Sequence, residues 1–138
     1  MDKLEIAKSA YLNGYTCSQA VLKAFINEID IDEKTALQMI EGLGGGVGGL
    51  QEICGAFSAA AIIISYYYGN EQPDMIKRAE LYQIIQKMAD VFKQKCCGLT
   101  CLEILKGEKP APGRCQDKVN YAVEAAEKAL NKLNILKG

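Results

Sequence analysis

The most constraining feature of this sequence is a glycine-rich segment that is followed by a long apolar stretch. The segment "GLGGGVGG" places six glycines in eight positions from Gly42, and "AFSAAAIII" follows from Ala56. Glycine destabilises helices and strands, so the run predicts a turn or a close approach of backbone. The apolar stretch has no polar face to give to solvent, which is typical of a buried helix. Together they predict a core helix that is entered through a glycine-rich interhelical turn.

Helical spacing recurs along the rest of the chain, and no stretch alternates with the period of a strand. Asp30 or Asp32 is the expected N-cap of a third helix that Gly42 ends, and Pro73 suits the first turn of the fifth. We therefore expect an all-α bundle of six to seven helices in a single domain that spans residues 1–138. The expected helices cover residues 4–14, with Gly14 as the C-terminal cap, then 17–29, 32–41, 50–68 and 74–95, a short segment that ends at Gly107, and residues 115–136.

Charge and hydropathy exclude several classes of partner. Sixteen Lys and Arg residues balance seventeen Asp and Glu residues, so the net charge of -1 gives no basis for binding nucleic acid or an anionic membrane. The start "MDKLEIAKSA" lacks the apolar core of a signal peptide. The longest apolar stretch, residues 56–68, falls short of the ~18 residues that a membrane span needs. We expect a cytoplasmic protein without membrane insertion.

The glycines also contain a formal dinucleotide fingerprint, Gly44-x-Gly46-x-x-Gly49. It follows a predicted helix rather than a strand, no βαβ unit surrounds it, and no Lys-Ser or Lys-Thr pair completes a phosphate loop. The sequence therefore favours a tight turn that positions Cys54, with backbone close to backbone or to a cofactor.

Cysteine is the residue type that carries chemical information here. The chain has six cysteines and no histidine. In a reducing compartment several cysteines suggest metal or redox chemistry, and the absence of histidine removes zinc and haem sites that need an imidazole. Two segments, Thr16–Gln19 and Thr100–Glu103, match the capping box of a helix start and place a cysteine at the first helical position.

Four thiols, from four separate segments, are thus expected at or near helix N-termini: Cys17, Cys54, Cys101 and Cys115. The partial positive charge there favours a thiolate, which is both the nucleophile of disulfide exchange and a metal ligand. We expect these four sulfurs to converge in one site. Cys96 and Cys97 do not share the pattern, and we interpret them as small semi-buried or adventitious thiols, with an auxiliary resolving role as the alternative.

At this point the sequence resembles a family of small redox proteins that is named for the cysteine pattern C-GCAxxG-C-C. The resemblance rests on "CSQAVLKAF", "GLGGGVGGLQEICGA", "CLEIL" and "RCQDKVNYAVEAAEKAL", and it covers almost the whole chain. Ala59 stands where the family has glycine. The resemblance implies a helical fold and redox activity, and a related cysteine domain in split-Soret cytochromes favours an iron–sulfur cluster.

Three functions stay open on this basis. The first is thiol–disulfide electron exchange by the four cysteines with an unknown redox partner protein. The second is electron transfer by an iron–sulfur cluster or another metal on the same four thiolates. The third is a helical interaction module without redox chemistry. Whether the protein is an enzyme is left open, and small residues on a helix face suggest a homodimer.

Overall fold

The computed structural model describes residues 2–106 and 114–132, and this part of the chain is all α, as predicted. Ile26–Glu28 forms a 3-10 turn, and residues 53 and 100 form an isolated antiparallel bridge, but the described residues contain no strand. None of the described helices is both long and apolar enough to cross a membrane. The helices are α1 Lys3–Leu12, α2 Cys17–Phe25, α3 Glu33–Glu41, α4 Gly55–Tyr68, α5 Met75–Cys96, α6 Cys101–Ile104 and α7 Gln116–Lys132.

Short polar residues set several helix boundaries. The Asp32 carboxylate accepts the Thr35 backbone N–H at 2.9 Å and begins α3, and Gly42 ends this helix, as predicted. Gly14 follows α1 in the left-handed region, with φ +97°, which is the predicted glycine cap. Pro73 lies one residue before Asp74, the N-cap of α5, and not inside the first turn of that helix. Local capping chemistry therefore explains where these helices begin and end.

Three predicted helix boundaries differ from those in the structure. The second helix ends at Phe25 and not at residue 29, because the chain tightens into the 3-10 turn. The fourth helix begins at Gly55 and not at residue 50, because Gln51 has a left-handed φ of +59° and the Cys54 N–H bonds to the Leu99 carbonyl. The last helix begins at Gln116, one residue later than expected. The predicted ends at residues 107 and 136 lie outside the described residues.

The core is built around α2 and α4, which pack against each other and against α7. Every residue of α2 except Lys23 is buried. By contrast, Ile62 and Tyr66 of α4 are 44% and 41% exposed. The sequence predicted α4 as the core helix. In the structure α2 also lies in the core and is more completely buried than α4.

The glycine run forms a left-handed turn, which explains its composition. Residues 45–49 have φ values of 67°, 74°, 65°, 59° and 78°, and Val47 is the one residue among them that is not glycine. A left-handed conformation costs an L-residue roughly 1–2 kcal/mol, whereas glycine adopts it freely. A Cβ on Gly46 would also lie 2.6 Å from the Glu52 nitrogen. The predicted interhelical turn is therefore confirmed, and it needs glycine both for conformation and for space.

Candidate functional site

The four cysteines singled out in the sequence line one cavity of about 340 Å³. Cys17, Cys54 and Cys101 are buried and Cys115 is half-buried. The structure therefore brings these four residues to the wall of one cavity. The rest of the wall consists of Tyr11, Tyr15, Thr16, Glu41 and the glycines Gly14, Gly44, Gly45, Gly46 and Gly55.

Two of the cysteines are held by capping boxes, as the sequence predicted. Cys17 is the first residue of α2, where the Thr16 hydroxyl accepts the Gln19 N–H at 3.1 Å and the Gln19 side-chain oxygen accepts the Thr16 N–H at 3.0 Å. Cys101 is the first residue of α6, where Thr100 and Glu103 make the same pair of bonds, each at 3.1 Å. Both boxes fix the first helical turn and therefore the direction of its cysteine.

The other two cysteines immediately precede their helices. Cys54 is the N-cap residue of α4. Cys115 comes one residue before α7, and its carbonyl accepts the Val119 N–H at 2.9 Å. All four thiols therefore belong to helix starts, where unpaired N–H groups carry a partial positive charge.

A short backbone pairing joins the Cys54 and Cys101 segments. The Cys54 N–H donates to the Leu99 carbonyl at 2.9 Å, and the Cys101 N–H donates to the Glu52 carbonyl at 2.6 Å. Side chains alternate along such a pairing, so Cys54 and Cys101 fall on one side and Ile53 and Thr100 on the other. An isolated bridge leaves no periodic signal in the sequence, which is why this contact was not predicted.

Two glycines let the chain close around the start of α2. A Cβ built on Gly55 would lie 2.9 Å from the Cys17 sulfur and 2.6 Å from the Leu43 carbonyl oxygen. A Cβ on Gly44 would lie 2.9 Å from the Thr16 Cβ. The absence of side chains at these two positions therefore brings Cys17 beside the segment that carries Cys54.

Two buried polar side chains of α2 bond to α3 rather than to a thiol. The Ser18 hydroxyl donates to the Ile40 carbonyl at 2.9 Å, and the Gln19 side-chain amide donates to the Leu37 carbonyl at 3.1 Å. Because buried polar groups are costly without partners, these bonds hold the start of α2 against the end of α3. They fix the helix that presents Cys17.

Burial raises the pKa of three of the four cavity thiols. It raises the pKa of Cys54 to about 12 and that of Cys115 to about 11, and it also raises the pKa of Cys101. The amides of Phe57 and Ala56 at the start of α4 act in the opposite direction on Cys54 but are outweighed. At Cys54, Cys101 and Cys115 desolvation therefore penalises the thiolate more than the helix start favours it.

The charge of Cys17 contributes to the raised pKa of all three of these thiols. Cys115 also raises the pKa of Cys54, and Cys101 raises that of Cys115. The four thiols are therefore close enough for an ionised one to repel its neighbours.

Sequence reasoning missed Tyr11 as a residue of the site. It counted Tyr11 only as part of the helical spacing of α1, whereas the Cys115 N–H donates to the Tyr11 hydroxyl at 3.0 Å. The two residues are 104 positions apart. No local pattern in a single sequence could have indicated this contact.

The remaining two cysteines lie away from the cavity. Cys96 ends α5 within the core, and burial raises its pKa to about 11. Cys97 is exposed, has a left-handed φ of +63°, and lines a separate pocket with Ile53 and Thr100. The structure thus separates these two thiols from the four that converge.

The donor set was tested for a single metal ion. Within residues 2–106 and 114–132, no three Cys, Asp or Glu side chains lie close enough together to hold one ion. The four thiols therefore line a cavity and are not close enough to one another to bind a single ion. In this arrangement a mononuclear metal site does not fit.

Comparison with known proteins assigns the chain to a family. A family model described as "Putative redox-active protein (C_GCAxxG_C_C)" matches residues 15–129, a range that contains all six cysteines. No curated protein and no solved structure matches the chain. Because the family model covers most of the sequence, the chain belongs to the C_GCAxxG_C_C family.

Proposed function

We propose that the protein is a thiol-based redox protein that accepts and releases electrons by forming and breaking disulfides among Cys17, Cys54, Cys101 and Cys115. The observation that carries this proposal is that the four thiols line one cavity. A disulfide requires Cα atoms within about 7 Å of each other, which only converging segments can provide. The family's redox-active description agrees with this chemistry.

Within this proposal, the first disulfide to form contains Cys17. The Cys17 sulfur lies beside Gly55, the residue next to Cys54, on the wall of the cavity that all four thiols line. In forming the bond, Cys17 and one partner lose two protons and two electrons to an external oxidant. Reduction by a dithiol reverses the step and returns both protons.

The raised pKa values predict slow exchange with small disulfides. With a pKa of about 11 for Cys115, only about one thiol in ten thousand is ionised at pH 7. Because the thiolate is the nucleophile, the reaction of such a residue with a small disulfide is limited by its ionised fraction. We therefore expect exchange of Cys115 with a low-molecular-weight disulfide to be slow at neutral pH.

The test is disulfide mapping of the reduced protein after addition of one equivalent of diamide, a two-electron thiol oxidant. We expect the first intramolecular disulfide, identified by mass spectrometry, to contain Cys17. A matched variant, Cys96→Ser with Cys97→Ser, keeps the four cavity thiols and is expected to give the same map. A first disulfide that excludes Cys17, or one that needs Cys96 or Cys97, would contradict the proposal.

One observation favours a second candidate, an iron–sulfur centre on the same four thiolates. Such clusters are commonly held by four cysteines, and the four cysteines here line a pocket of about 340 Å³. The helix starts around it would offset negative charge. When bound, a cluster would supply one-electron transfer.

Anaerobic reconstitution with iron and sulfide separates the two candidates. The disulfide proposal predicts a colourless protein without stoichiometric iron and sulfide, whereas visible absorption with bound iron and sulfide would establish the cluster. Cys17→Ser and Cys96→Ser form the matched pair, because only the first removes a ligand from the cavity.

A further inference from the structure

We propose that Tyr11 is a positioning residue for Cys115, and that its hydroxyl holds the backbone of this cysteine while it donates a hydrogen bond to the sulfur. The functional importance of this contact depends on the redox role proposed for Cys115. The contact itself can be tested in the reduced protein, whether or not disulfides form.

The geometry assigns both interactions to one hydroxyl group. Tyr11 lies in the last turn of α1, and Cys115 immediately precedes α7, a helix that packs against α1. The Tyr11 oxygen accepts the Cys115 N–H at 3.0 Å, which leaves the hydroxyl proton for another acceptor. The Cys115 sulfur is the acceptor that we infer for this proton, because both residues line the same cavity and their side chains interact. The Tyr11 hydroxyl therefore positions both the backbone at the start of α7 and the side chain of Cys115.

The other groups around Cys115 make this hydrogen bond important. Burial and the charges of Cys17 and Cys101 all raise the pKa of Cys115, while Tyr11 and Lys118 lower it. On α5, Cys96 also interacts with Cys115. Tyr11 therefore favours the thiolate of Cys115, together with Lys118.

Tyr11 itself stays protonated under the same conditions. Burial raises the pKa of its hydroxyl above the ordinary value of 10.0, and the charges of Cys115 and Cys17 act in the same direction. At neutral pH the phenol is thus a hydrogen-bond donor and not an anion. Its donated bond is available whenever Cys115 ionises.

The experiment compares Tyr11→Phe with the native chain by iodoacetamide labelling of the fully reduced protein, resolved for each cysteine by mass spectrometry between pH 7 and 10. A rise of about one unit in the pKa of Cys115 lowers its thiolate fraction about tenfold, and the more basic thiolate is about threefold more nucleophilic. We therefore expect Cys115 labelling to slow about threefold, with Cys54 and Cys101 unchanged. Tyr121→Phe removes a hydroxyl from a half-buried tyrosine of α7 outside the cavity and is expected to change none of these rates.

The pattern across the thiols separates positioning from general loosening. Slower labelling of Cys115 alone supports the proposal. Unchanged Cys115 labelling, or faster labelling of all the buried thiols, would overturn it, since a loosened fold exposes every sulfur. Disulfide mapping with diamide is read separately, so failure of the redox proposal would leave this result interpretable.

Discussion

Replacement of Gly55 by alanine tests the close approach that brings Cys17 beside Cys54. The added methyl group would lie 2.6 Å from the Leu43 carbonyl oxygen and 2.9 Å from the Cys17 sulfur, both closer than ordinary contacts. Relief requires movement of backbone at Leu43, because a carbonyl oxygen has no rotamer to change. We expect Gly55→Ala to disturb the cavity itself and not only the helix that follows it.

The magnitude follows from two opposing effects. Overpacking a well-packed site costs roughly 1–3 kcal/mol, while alanine in a helix is favoured over glycine by roughly 0.5–1 kcal/mol. The free energy of unfolding should therefore fall by about 1–2 kcal/mol, which corresponds to a fall in Tm of roughly 4–8 °C. The displaced Cys17 sulfur should also lower the yield of the first disulfide, which we expect to contain Cys17.

Urea unfolding and diamide mapping of the reduced protein measure the two effects. The matched control is Gly42→Ala, because a Cβ on Gly42 meets nothing within 4 Å and its φ of -64° suits any residue. This control should be neutral or stabilising by up to about 1 kcal/mol. If Gly55→Ala is as stable as Gly42→Ala and gives the native disulfide yield, the close approach of the Gly55 backbone to Cys17 is refuted.

Three further outcomes are expected. Thr16→Ala removes the side-chain acceptor of the α2 capping box and should lower the free energy of unfolding by about 1 kcal/mol, measured by urea titration; no loss would contradict a role for the box. Ala59→Gly removes the methyl group of a fully buried helical residue and should destabilise by roughly 1–2 kcal/mol in the same assay, whereas a gain in stability would indicate that the methyl group is strained. Folding raises the pKa of Cys54 from 9.0 to about 12, so the unfolded chain loses the Cys54 proton at a lower pH than the folded chain does. Between pH 9 and 12 this thiol should therefore lower the free energy of unfolding of the reduced protein by up to about 1.4 kcal/mol per pH unit. Cys54→Ser should flatten that dependence, and equal slopes between pH 8 and 10 would count against the buried thiol as its source.

The predictable part of this structure is the part that depends on neighbouring residues. The Thr16 and Thr100 boxes, the Asp32 cap and the left-handed Gly14 follow from chemistry within one helical turn, so a single sequence carries them. The helical class follows from hydrophobic spacing in the same way. The convergence of four cysteines was predicted because all four shared one local environment.

The features that were missed depend on contacts between distant segments. The pairing of residues 53 and 100 displaced the start of α4, and the bond between Tyr11 and Cys115 joins opposite ends of the chain. The size of the rise in the thiol pKa values has a related origin. A helix start is visible in sequence, but the burial that outweighs it at Cys54 arises only from tertiary packing.

A redox titration with a thiol count tests the central claim most directly. The Cys96→Ser, Cys97→Ser variant, which keeps only the four cavity cysteines, is equilibrated anaerobically in dithiothreitol buffers of graded potential and then alkylated in denaturant. The account predicts that the number of alkylated thiols falls reversibly from four to two in one two-electron step, and that Cys17 is among the two that are protected. Four free thiols at every potential, or a protected pair without Cys17, would contradict it.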